Sequence, residues 1–174
     1  MKWLIRMLIV LAALAAIASS QIPNWELHAS EPIASATLDS QTTSLRYLVH
    51  AELRGPGPFE DLNGYVAARV DARPSQPTPI TTIEIRSLTH PDEMPTTEMV
   101  PATVSHADVY LDAWLACTTD PCAEDYEVII SRDPTLELPP LDITGEIEAW
   151  AGGLTDTKTM PENSEVVVTV TGPL

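Results

Sequence analysis

The chain predicts an all-β fold, a single antiparallel β-sandwich of about seven strands. Three observations carry this. Apolar and polar residues alternate with period two in run after run beyond residue 44, helical periodicity is almost absent, and the prolines fall between the runs. Antiparallel sheets with one wet face alternate in this way, whereas buried parallel strands read as continuous apolar runs. Connections of unequal length, including the twenty-residue gap Ser87–His106, favour a sandwich over a small barrel.

Residues 1–20 read as a cleaved signal peptide. Lys2 and Arg6 form a basic start, Met7 through Ala18 are apolar, and Ala16-Ile17-Ala18 or Ala18-Ser19-Ser20 offers a small-residue cleavage frame. An apolar core of about twelve residues is too short to span a bilayer, which takes ~20. Residues 21–43 are expected to be a polar leader, with Ile33–Leu38 available as an edge strand. The sandwich domain is expected over 44–174.

Within Ser44–Arg54, Leu45, Tyr47, Val49, Ala51 and Leu53 share one face against Arg46, His50, Glu52 and Arg54. Val66, Ala68, Val70 and Ala72 form the second strand's inner face, and Thr81, Ile83 and Ile85 the third. Val109, Leu111, Ala113, Leu115 and Cys117 oppose Asp108, Tyr110, Asp112 and Trp114. Tyr126, Val128, Ile130 and Arg132 form the next inner face, then Leu141, Ile143, Gly145, Ile147 and Ala149, then Val166, Val168 and Val170. Gly55-Pro56-Gly57-Pro58, Asn63-Gly64, Pro134 with Pro139-Pro140, and Gly152-Gly153 with Pro161 punctuate the gaps. An uninterrupted loop over Ser87–His106 would be long for a compact domain. An irregular strand within Glu98–Ser105, or a crossover between sheets, is expected there.

Beyond the signal segment the chain carries seven basic residues against 25 acidic ones, a formal charge of −18. Such a field repels phosphate backbones and anionic membranes, so no nucleic-acid partner is expected. With no cysteine at the cleavage frames and no second long apolar run, neither a lipid anchor nor membrane insertion is expected after signal removal. The expected location is secreted or periplasmic.

Chemical motifs are sparse. His28, His50, His90 and His106 are widely spaced, and there is no H-E-x-x-H, G-x-S-x-G or phosphate-cradling glycine pattern. His90 and His106 flank the long gap and are the one pair placed to meet. The carboxylate pairs Glu60-Asp61, Asp92-Glu93 and Glu124-Asp125 sit in turn-like contexts and read as solvated charge. No catalytic residue, cofactor or metal site is assigned, calcium included. Trp114 and Trp150 fall on faces assigned to solvent and form a candidate aromatic contact patch for a protein or glycan partner. The expected role is that of an exported, non-enzymatic interaction or structural module of a bacterial envelope or secretome. The alternative is a small secreted hydrolase or enzyme inhibitor using the 87–106 loop.

Seven exported strands with one disulfide resemble immunoglobulin-like and fibronectin-III-like sandwiches in a generic way. The Cys…Trp…Cys spacing of antibody domains, with cysteines on facing strands, is missing. Cys117 and Cys122 are separated by the turn-like Thr118-Thr119-Asp120-Pro121, and in an oxidising compartment two thiols so placed pair. Non-reducing mass spectrometry of the exported protein should therefore show the loss of two hydrogens. Two alkylatable thiols would exclude the bridge. Cys117→Ser should weaken folding without abolishing it, by about 2 kcal/mol, because the loop it opens is short.

Overall fold

The computed structural model describes residues 24–56, 62–74, 81–100, 106–113, 122–135, 137, 139–153 and 161–174. Ten strands run through them: β1 (Asn24–Pro32), β2 (Ala36–Leu38), β3 (Ser44–Arg54), β4 (Leu62–Pro74), β5 (Thr81–Ser87), β6 (Thr96–Val100), β7 (His106–Ala113), β8 (Cys122–Arg132), β9 (Leu141–Gly153) and β10 (Glu165–Thr171). No helix occurs among the described residues, hence none long and apolar enough to cross a membrane. The seven expected strands each have a counterpart. Of the other three, β2 falls within Ile33–Leu38 and β6 overlaps the start of Glu98–Ser105, whereas β1 runs through residues read as polar leader.

The strands form two antiparallel sheets. Sheet A has the order β1-β9-β4-β7, with β2 also on β9, and sheet B has the order β10-β3-β8-β5-β6. The pairings are nested along the chain: β5 with β6, β4 with β7, β3 with β8, and β1 and β2 with β9. One long antiparallel ribbon has thus been rolled up, and the rolling brings β4 against β9 and β5 against β8 as new seams. This is the wrapping of a jelly roll, with β10 added beside β3. Immunoglobulin sandwiches instead divide their strands as ABED and CFG. The immunoglobulin-like and fibronectin-III-like description is corrected accordingly. Alternation along each strand reports which residues point inward, and it is blind to which strands pair.

The inner faces match the alternation. Leu45, Tyr47, Val49, Ala51 and Leu53 of β3 are buried, with Ile83 and Ile85 of β5 and Tyr126, Val128 and Ile130 of β8. Facing them are Val66, Ala68 and Val70 of β4 and Ile143, Ile147, Ala149 and Ala151 of β9. Val166 and Val168 of β10 close one side, and Ile33 and Leu38 join the same core. The side chains of Ala72 and of 109–117 lie outside the described residues.

Polar tips in this core are bonded. The Tyr47 hydroxyl donates to the Ala34 carbonyl at 2.9 Å, and burial pushes the phenol upward from its ordinary pKa. Arg132 turns inward, as its place in the alternation requires, and Nη1 donates to the carbonyls of Leu38 and Pro139. Both bonds tie sheet B to the chain around β2.

Gly145 fixes how β4 and β9 meet. Its φ is +157°, and a Cβ there would lie 2.0 Å from the Arg69 carbonyl oxygen. Its own carbonyl accepts the Ile33 N–H at 3.0 Å, in the gap between β1 and β2. Gly145→Ala should therefore cost at least about 2 kcal/mol, through backbone displacement. Ile147→Ala, two residues on and buried, should cost about 2–5 kcal/mol by leaving a cavity. The exposed Ser30→Ala should cost under ~0.5 kcal/mol. Denaturant unfolding of the three variants checks the order.

Candidate functional site: the outer faces of the two sheets

On sheet A the register sets His28 of β1, Trp150 of β9 and Tyr65 of β4 side by side. The His28 and Trp150 ring centroids are 4.0 Å apart, and those of Trp150 and Tyr65 are 6.0 Å apart with planes 13° from parallel. Beside this row lies Glu148, only 4 % exposed on a face that alternation assigns to water. Its carboxylate meets Arg69 Nη1 at 3.2 Å and His28 Nε2 at 3.5 Å, and Trp150 Nε1 reaches its other oxygen at 3.4 Å. A buried carboxylate needs such partners to remain charged. Trp150, half-buried, thus lies between the rings of His28 and Tyr65 and links three strands. Trp114, the other half of the expected patch, lies outside the described residues.

Sheet B repeats the device. Glu127 of β8, 7 % exposed, sits between Arg46 Nε at 3.0 Å and Arg86 Nε at 3.6 Å. Arg86 also holds Glu84 on its own strand. Next to this group, His50 Nδ1 lies 2.8 Å from Asp125 Oδ1, in the directly opposed register of β3 and β8. Thr169 of β10 stands opposite His50 on the other side. A hollow of about 280 Å³ opens here, lined by Leu48, His50, Leu88, Asp125, Thr169 and Thr171 among others. Leu48 and Leu88 are exposed large apolar residues, as is Met94 in the connection that begins with Leu88.

The remaining candidates are accounted for as follows. His90 Nε2 contacts Glu124 at 3.2 Å on sheet B, whereas His106 opens β7 in sheet A opposite Asp71. Cys122 is buried at the start of β8, and no cysteine among the described residues is free. Cys117, Glu60 and Asp61 lie outside the described residues. Among the described residues no group of three or more His, Cys, Asp or Glu is placed to hold a metal. Two loop aspartates have backbone roles. Amide donation from Thr42 and Gln41 holds the Asp39 carboxyl below its usual range, and the Thr135 hydroxyl and amide do the same for Asp133. The Arg54 guanidinium lowers Glu52 in the same direction.

No protein-family model matches the chain, and no curated protein matches it. Solved structures similar at a low level include three of different kinds. The core of Drosophila NLP is 12% identical with a TM-score of 0.32, covering 67% of this chain and 98% of its own. A family two carbohydrate esterase from Cellvibrio japonicus is 12% identical with a TM-score of 0.33, covering 78% and 36%. Turnip yellow mosaic virus protein is 16% identical with a TM-score of 0.27, covering 79% and 87%. At these TM-scores the likenesses carry no argument, and the strand order above rests on the pairings alone.

The bracing role of Trp150 is measurable. Trp150→Ala should lower stability by about 1–3 kcal/mol through loss of the two ring contacts and of its donor to Glu148. Trp150→Phe should recover more than half of that. If Trp150→Ala unfolds at the wild-type denaturant midpoint, the row contributes nothing and the ring is free for a partner.

Proposed function

We propose that this chain is an exported, non-enzymatic interaction module whose contact surface lies on the sheet B side. One observation carries the reading: where the exposed large apolar side chains gather. Among the described residues these are Leu48, Leu88, Met94, Met99 and Leu174. The first four belong to sheet B or to its β5–β6 connection. Exposed apolar groups confined to one side favour a partner face over random scatter. Methionine suits such a face because its unbranched chain adapts to the surface it meets. The N-terminal signal pattern supports export to the periplasm or beyond.

A second reading, a small hydrolase, is favoured by the row Asp125–His50–Thr169, which sets a carboxylate, an imidazole and a hydroxyl on three adjacent strands. Both His50 and Asp125 are largely exposed, at 44 % and 62 % of their side chains, which leaves a reaction there in open water. A photoreactive residue at position 88, in the protein produced in its own host, should give a discrete cross-linked adduct. The same probe at Thr37 on sheet A should give none. Hydrolysis of nitrophenyl ester or glycoside probes, abolished by His50→Ala, would replace this reading with the second.

A further inference from the structure

Resting on the interaction reading, we propose that the hollow between Leu48 and Leu88 is a binding site for one basic side chain, Lys or Arg, of a partner polypeptide. Both walls and floor fit that chemistry. The walls are two exposed leucines, and a lysine or arginine stem is a run of methylenes that lies well against them. At the floor is Asp125. Its Oδ1 is engaged by His50 Nδ1 at 2.8 Å, and Oδ2 has no hydrogen-bond partner among the described residues. The backbone of Asp125 is held from two sides: its carbonyl accepts the Leu88 N–H at 2.8 Å, and its N–H donates to Thr89 Oγ1 at 3.0 Å. The backbone position that carries the carboxylate is therefore set before a ligand arrives. Thr169 and Thr171 line the far wall and add hydroxyls that can accept from an ammonium or guanidinium.

Charge selects the sign of the ligand. The arginines of this face are engaged: Arg46 with Glu127, and Arg86 with Glu84 and Glu127. His90 is with Glu124. Asp92 and Glu93 stand exposed in the same connection as Leu88. An anionic group entering the hollow would meet Asp125 with no free cation beside it among the described residues, whereas a cation gains a carboxylate without displacing one. A volume near 280 Å³ has room for one long side chain.

The test uses amide chemical-shift titration of the full mature protein with Ac-Lys-Leu-Lys-Leu-Lys-NH2, Ac-Glu-Leu-Glu-Leu-Glu-NH2, Ac-Lys-Ser-Lys-Ser-Lys-NH2 and 1,5-diaminopentane. The Lys-Leu peptide should give saturable shifts centred on Leu48, Leu88, Asp125, Thr169 and Thr171. Asp125→Asn and Leu88→Ser should each weaken it at least about fivefold while the melting temperature holds. Raising sodium chloride from 50 to 500 mM should weaken it about threefold or more. Equal binding of the glutamate peptide would overturn the proposal. So would lysine-peptide shifts spread over the whole acidic surface and indifferent to both substitutions. Diaminopentane saturating the same resonances as tightly would make the ligand a free amine and overturn the polypeptide source. If no probe moves these resonances while the position-88 cross-link still forms, the basic-side-chain proposal fails and the interaction reading stands. If the cross-link also fails, both fall.

Discussion

Strand β9 is the element on which the rest of the structure depends. It is the only described strand that pairs with three others, meeting β1 and β2 along one edge and β4 along the other. Its thirteen residues run the full length of sheet A. Its inner side chains, from Ile143 to Ala151, belong to the core between the sheets, while its outer Glu148 and Trp150 anchor the ionic and aromatic groups of that face. Register here is demanding, because a slip of one residue would turn Glu148 inward and Ile147 out. Gly145 guards against it: only a residue without a Cβ lets the Arg69 carbonyl come as close as it does.

Much of the inner surface was legible in the sequence because burial on one side of a sheet leaves a period-two trace. The β3 alternation from Leu45 to Leu53 is reproduced residue for residue. The N-terminal strands were harder to see for a physical reason. The described side chains of β1 and β2 are half-buried or exposed except Leu38, with Leu27, Ala29 and Ala36 packed at the margin of the core, so the span reads as polar. Strand order was not legible at all, since nested pairing joins residues far apart and leaves no local mark. Of the candidate site residues, Trp150 was visible in the sequence as half of a candidate contact patch, whereas its place between the rings of His28 and Tyr65 was not. Glu127 and Glu148 were assigned to water because each occupies an outer position. Their burial comes from long side chains reaching over from neighbouring strands, and a cross-strand arginine opposite or diagonal to a glutamate is the one signal that pointed to it.

Those two glutamates also explain how so acidic a chain manages its few cations. Arg46, Arg54, Arg69 and Arg86 each meet a glutamate, and Arg132 is taken inside to bond carbonyls. Exposed pairs of this kind contribute little individually. The pairs made to Glu127 and Glu148 matter more, because a buried carboxylate left alone would cost several kcal/mol. Among the described residues, exposed carboxylates such as Asp92 and Glu93 and a small set of apolar side chains on sheet B remain on the outside.

The nested pairing also governs when the chain can fold. Asn24 pairs with Gly153, so sheet A cannot close until the chain through Gly153 has been made. Hairpin β5–β6 is the one local contact able to form early. Every later layer wraps around it at greater sequence separation, which places folding among the slow, non-local topologies.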